Sequence, residues 1–222
     1  MAIDWSFIAQ PGVEGESTYK TGYVPELGSG FTVGSVDVGQ HSREDIRTML
    51  QGYSNYLAGG GRGSNIVGNI RGDLLKKLEP YVEEGRVGSV WKEFGSREGY
   101  DMLAKTEEFD IKDIEYITKA KRYNFEDKLS SKKGWSSLDE ETQTILGSIG
   151  WQYGTGKNKK TDRNIFEEFW KIRDNKTDIH KKLIDMGKNE YTLRRGIEAD
   201  YIQPPPLPVQ KTLNVDKKQE IF

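Results

Sequence analysis

Apolar and polar positions alternate along this chain with two different periods. Trp5, Ile8 and Ala9 share one face at i, i+3, i+4, which predicts a short helix over 4–10, broken by Pro11-Gly12. Residues 13–40 hold six glycines and two short β-prone pieces, Tyr23-Val24 and Phe31-Thr32-Val33, with Gly28-Ser29-Gly30 as a turn between them, so a small irregular hairpin or sheet is expected. Helical spacing then dominates. Ser42 caps a helix running through Asp45, Ile46, Met49 and Leu50, with Asp45 at the capping-box position, and Leu57–Gly63 reads as a glycine-rich loop. Leu74, Leu75, Leu78, Tyr81 and Val82 form a stripe over 65–84 that Pro80 is expected to bend. A helix over 110–127 takes Ile111, Ile114 and Ile117 as its apolar positions, followed by a charged connector from Lys128 to Gly134. Ser137 with Glu140 reads as a capping box opening a helix through Ile145, Leu146, Ile149, Gln152 and Tyr153. After a loop at 154–161, short helices are expected over 163–173, 177–186 and 190–202.

A strand-bearing segment followed by many helices is an α+β layout with its strands segregated. No stretch of 20–50 residues repeats, which excludes solenoids and propellers. Residues 1–202 are read as the folded domain. The run Pro204-Pro205-Pro206-Leu207-Pro208 suits neither helix nor central strand, so 203–222 is read as a proline-rich tail, linker or surface strap, in preference to an SH3 ligand.

Composition narrows the chemistry. With 222 residues, 34% apolar and 31% charged, and with 5 Trp, 11 Tyr and 8 Phe, the chain can bury a core in one domain or two packed lobes. A net charge of −2 argues against a nucleic-acid partner. Cysteine is absent and the histidines are His41 and His180 alone, so thiolate chemistry and a histidine-rich metal site are excluded and a Ser-His-Asp triad is disfavoured. Catalysis must rest on carboxylates, hydroxyls, lysines or tyrosines. The N-terminus lacks the pattern of a signal peptide, and no segment approaches the roughly 20 apolar residues of a membrane span, so no membrane insertion is expected.

Two stretches place carboxylates where a helix meets a glycine-lined hairpin. One is Val13-Glu14-Gly15-Glu16 leading into Thr21-Gly22-Tyr23-Val24-Pro25; the other runs from Ser29 to Gln40 and includes Thr32 and Asp37. Glycosidic cleavage needs one protonated carboxyl to donate to the leaving oxygen and one charged carboxylate to activate water or stabilise the oxocarbenium-like transition state, in unlike environments. Taken alone the signal is weak: Glu14 and Glu16 also read as exposed loop residues, and Asp37 as a turn-forming aspartate.

The order of motifs adds to this. Glu14-Gly15, Thr21 to Pro25, Ser29 to Gly34 and Val36 to Gln40, followed much later by Gln152-Tyr153-Gly154, Phe169-Trp170 and Tyr191-Thr192-Leu193-Arg194-Arg195-Gly196-Ile197-Glu198-Ala199, resemble the pesticin-type lysozyme domains. Those are phage-lysozyme-like muramidases of bacteriocins and of type VI secretion spike proteins and effectors. The resemblance brackets residues 5 to 202 and leaves roughly 55–135 unmatched.

It implies a lysozyme-like α+β fold, with a small β-containing N-terminal lobe and a larger helical lobe. It implies hydrolysis of the β-1,4 bond between N-acetylmuramic acid and N-acetylglucosamine with inversion. In that reading Glu14 is the general acid, Asp37 positions or activates water, and Thr32 holds that water. Glu16 stays a rival to Glu14. No metal and no organic cofactor is required. The resemblance also implies a monomeric antibacterial effector, secreted without a signal peptide and acting on peptidoglycan glycan strands in a target-cell periplasm, with an immunity protein as partner. A lytic transglycosylase and a non-catalytic wall-binding or spike-structural domain are the competing readings.

Around these positions, Tyr23 suits sugar stacking or lobe packing equally, and Gln152 is the better cleft candidate of the pair Gln152–Tyr153. Arg194 and Arg195 are read chiefly as ion-pair partners of Glu198 or Asp200, His41 as a satisfied loop histidine, and Lys157-Asn158-Lys159-Lys160 as a solvated loop.

Overall fold

Asp4 begins the first helix because its carboxylate accepts the backbone N–H groups of Ser6 and Phe7 at 2.9 and 3.0 Å. In the computed structural model, which describes residues 3–14, 31–60, 64–82, 109–158 and 161–202, this helix, α1, spans Trp5–Ala9. Its buried side chains are Phe7 and Ile8; Trp5 is half-buried beside them. The Tyr23-Val24 piece, the Gly28-Ser29-Gly30 turn and the proline-rich tail lie outside the described residues.

The hairpin that is described pairs β1 (Thr32–Val33) with β2 (Val36–Asp37) antiparallel, in the register Thr32↔Asp37 and Val33↔Val36. Both valines are fully buried. Gly34 opens the turn at φ +59°, where a side chain would be strained. A Cβ there would also stand 2.6 Å from the Thr118 hydroxyl, so the turn lies tight against the helix Ile111–Ser130.

Helix α2 (Arg43–Leu57) has the expected capping box: the Asp45 N–H donates to the Ser42 hydroxyl, and the Ser42 N–H to the Asp45 carboxylate, each at 3.1 Å. The helix expected over 65–84 is shorter. Residues 64–71 run without helix because α2 claims their backbone: Gln51 donates to the Gly68 carbonyl at 2.7 Å, and the Gly68 N–H donates to the Asn55 side chain at 2.9 Å. Helix α3 covers Gly72–Leu78, and Pro80 sits in the opening of a 3-10 turn, Glu79–Tyr81, rather than bending a continuous helix.

Helix α4 runs from Ile111 to Ser130, into what the charges suggested was a connector. Ile114 and Ile117 are buried on it, but Ile111 is 54% exposed. Helix α5 (Glu140–Tyr153) is capped by Asp139, which accepts from the Thr142 N–H at 3.0 Å. Ser137 belongs to the preceding 3-10 turn and donates to the Gly134 carbonyl, so the Ser137–Glu140 box does not form. Helices α6 (Ile165–Trp170), α7 (Lys176–Gly187) and α8 (Thr192–Tyr201) complete the described fold, each within a few residues of expectation.

The described residues are thus mostly helical with one two-stranded antiparallel sheet, an α+β composition. Their apolar side chains form two cores. One gathers Phe31, Val33, Val36 and Val38 with α2, α3 and the first half of α4; the other gathers α1, the end of α4 and α5 to α8. Helix α4 contributes Ile114, Ile117 and Ala120 to the first and Leu129 to the second, and so joins them. No described helix is long and apolar enough to cross a membrane.

Asp113, 1% exposed in the first turn of α4, accepts from Arg71 at 2.6 Å and Lys77 at 2.8 Å. Both cations keep partial exposure, so they regain water when the carboxylate is removed, which limits the loss. Asp113→Ala is expected to lower the unfolding free energy by about 1–3 kcal/mol in urea titrations.

Candidate functional site

The segment after α1 is pulled back onto its own helix. Val13 N–H donates to the Gln10 carbonyl at 3.2 Å, and Glu14 N–H to the Ile8 carbonyl at 3.1 Å. Gly12 makes the reversal at φ +91°, and a Cβ on it would lie 2.7 Å from Ile197 of α8. The Pro11-Gly12 break is therefore what seats Glu14 against α8.

On α8 the successive arginines are buried, and both meet Glu198, which has no exposed surface. Arg194 Nε lies 3.1 Å from Glu198 Oε1, and Arg195 Nη1 lies 2.8 Å from Oε2. Ser148 of α5 donates its hydroxyl to Glu198 Oε1 at 2.5 Å. The far side of the Arg194 guanidinium donates to the Ser148 carbonyl at 3.1 Å and the Val13 carbonyl at 3.2 Å, and pairs directly with Glu14. Arg195 donates to Gln152. The expected ion pairing of both arginines with Glu198 is present, and Arg194 reaches Glu14 as well.

Glu14, with 30% of its side chain exposed, opens on a groove of about 530 Å³ that also has Gly12, Gln152, Tyr191, Leu193 and Arg194 in its walls. Tyr191 holds a left-handed backbone at φ +52° just before α8, is 56% exposed, and packs edge-on to Tyr153 with ring centres 6.3 Å apart. Glu14 and Gln152 thus share one groove. Tyr153 is half-buried and packs against the core that α1 shares with α5 to α8. Glu16 and Tyr23 lie outside the described residues.

Thr32 and Asp37 face each other across the hairpin, with Thr32 6% exposed and Asp37 half-buried. They do not line the groove. What joins the two sets is Lys121 of α4. Its ammonium donates to the Ser35 carbonyl in the hairpin turn and sits 4.3 Å from the centre of the Trp151 ring on α5. Burial pushes Lys121 down to about 8, and the negative charges of Glu14 and Asp37 oppose that fall. Both carboxylates therefore lie within electrostatic reach of one ammonium, at the seam between the cores. His41, just past the hairpin, is held below the usual histidine range by burial first and by Lys121 second, against Asp45 and Asp37.

Sequence reading missed Lys121. Its signal was the spacing 114, 117, 118, 121, which puts the lysine in line with the apolar stripe of α4. Among the described residues no group of three or more His, Cys, Asp or Glu side chains converges as a metal site. No family model matches the chain, and no curated protein matches it either.

Glu198→Ala would leave two buried guanidinium groups short of their shared carboxylate. The expected loss is about 3–5 kcal/mol of unfolding free energy, larger than for Asp113→Ala, measured by the same urea titration.

Proposed function

We propose that this chain is a peptidoglycan-cutting muramidase with a lysozyme-like, two-lobed fold. The reading is carried by Glu14 opening on a groove beside α8 while Asp37 stands on the hairpin that Lys121 ties to α4, with both carboxylates within electrostatic reach of that ammonium. Glycoside hydrolysis asks for two carboxyl groups in unlike surroundings facing a sugar-sized gap. Glu14 stands on the helical wall beside Arg194 and opens on a groove, whereas Asp37 stands on the hairpin opposite Thr32. The order of sequence motifs supports the same assignment.

In this mechanism the glycan runs from the groove beside Glu14 toward the hairpin, with Gln152 as a polar wall contact. Glu14 gives its proton to the leaving glycosidic oxygen. Asp37, aided by the Thr32 hydroxyl, orients water for attack on the opposite face of the sugar, with inversion and no cofactor. The donor must carry a proton, so the Arg194–Glu14 contact has to loosen in the productive complex. Delivery to a target-cell periplasm as an antibacterial effector, countered by an immunity protein, is the biological setting that the motif resemblance suggests.

That same ion pair favours a second reading, a wall-binding domain without catalysis, in which Glu14 is a structural partner of Arg194. Turbidity of purified peptidoglycan separates the two. The wild-type protein is expected to clear it, and Glu14→Gln and Asp37→Asn to slow clearing by about 10²-fold or more. Reducing muramic ends in the products, read by mass spectrometry, mark hydrolysis, and anhydro ends a transglycosylase. Inert protein that pellets with the wall marks binding alone, and loss of activity only in Glu16→Gln moves the acid to that residue.

A further inference from the structure

Lysine is among the residues least often enclosed, because its ammonium gives up water to be there. Lys121, half-buried, is nonetheless drawn into the seam, in line with Ile114 and Thr118 on the face of α4 that receives the hairpin turn. Gly34 of that turn abuts Ile114 and Thr118, and the next residue, Ser35, offers its carbonyl to the Lys121 ammonium. The aromatic face of Trp151 closes the other side. One side chain of the joining helix thus touches the hairpin that carries Asp37 and the helix that carries Gln152.

We propose that Lys121 is a positioning residue for the hydrolysis: as an ammonium it pins the Asp37 hairpin to the joining helix and balances the Glu14 and Asp37 carboxylates across the seam. The inference rests on the muramidase reading above. Each acid alone has a local partner or strand neighbour; Lys121 is the cation that both feel. In its neutral form the amine still fits the space but no longer offsets the two carboxylates, and its hold on the Ser35 carbonyl weakens. Hydrolysis therefore requires the protonated lysine. The described charged groups facing it from other elements are Glu14 from the segment after α1, Asp37 from β2, and His41 from the end of the 3-10 turn Val38–Gln40.

The midpoint of Lys121 near 8 places the loss of the active form within an accessible pH range. The accompanying stability change has the opposite sign. A lysine that releases its proton near 8 when folded, and near 10.5 when unfolded, leaves the unfolded chain with more bound protons between those values. Lys121 therefore favours folding increasingly from about pH 8 to about 10.5, and that contribution is lost as pH falls through 8. Alkaline inactivation by unfolding would show falling stability instead.

The test compares wild type, Lys121→Met and Lys121→Arg by the pH dependence of peptidoglycan hydrolysis, thermal melts at each pH, and NMR titration of the Lys121 side-chain signal. Wild type is expected to lose kcat through a midpoint about 8. Lys121→Met should fold and melt no lower than wild type at pH 7, show kcat reduced about tenfold or more with KM little changed, and lack that midpoint. Lys121→Arg should regain activity and keep it above pH 9. The NMR midpoint should fall further in Glu14→Gln and in Asp37→Asn, since each loses a charge that supports the ammonium. Hydrolysis in Lys121→Met with the wild-type rate and midpoint overturns the role of Lys121 alone, as does an NMR midpoint indifferent to both acid substitutions. Wild-type protein inert on peptidoglycan overturns the muramidase reading, and the role in hydrolysis goes with it.

Discussion

Glu198 is a carboxylate without solvent, and two guanidinium groups are spent on keeping it there. An unpaired ion in that position would cost several kcal/mol, so once Glu198 is buried, Arg194 and Arg195 must be buried with it. Their remaining donors then need acceptors, and these come from other elements: the Ser148 carbonyl and hydroxyl on α5, Gln152 one turn further on, and the Val13 carbonyl after α1. Satisfying one buried acid thus draws the two ends of the described chain together. The position of Glu14 follows from this. It is fixed by the reversal at Gly12, by its own backbone bond to Ile8, and by the last free face of Arg194.

The second constraint is α4. A helix that serves two cores must present apolar groups along its length, and α4 does so with Ile114, Ile117 and Ala120 toward one core and Leu129 toward the other. Between those stretches its inward positions face the seam, where neither core covers them fully. Lys121, Arg122 and Glu126 occupy that interval beside Trp5 and Trp151. Aromatic faces suit it, because they cover the aliphatic stems of long cations while their π-electrons receive the charged ends. The seam is thus polar by the geometry of the joining helix, and the carboxylates of Glu14 and Asp37 lie within electrostatic reach of the charge found there.

Local rules carried the reading as far as local causes reached. The Ser42–Asp45 box and the short strand at Thr32–Val33 depend on neighbours a few residues away, and both were legible. Where two residues offered the same local signal, the choice escaped: Ser137 and Asp139 are both good caps, and only Asp139 stands next to the first turn of α5. Where a distant partner decided, the sequence was silent. Residues 64–71 are held out of helix by Gln51 and Asn55, and Glu14 meets Arg194 across 180 positions. Lys121 is the instructive case. Its spacing placed it on the inward face, but a lysine there is ordinarily read as an exposed break in the stripe.

The two carboxylates that the proposed chemistry needs are unequal in their attachments. Arg194 meets Glu14 through Nη1, the nitrogen that also donates to the Val13 carbonyl, while Nε and Nη2 are committed to Glu198 and Ser148. Releasing Glu14 therefore leaves the guanidinium hydrogen-bonded on every side and still paired with Glu198, which it shares with Arg195, so the buried cluster then carries one net positive charge. An arginine whose sole carboxylate was Glu14 would resist that release far more, because it would be stranded as an unpaired buried ion. The triad on α8 thus does more than fix the fold: it keeps a second carboxylate on Arg194, which lowers the cost of releasing Glu14, and the proposed role of Glu14 as proton donor requires that release.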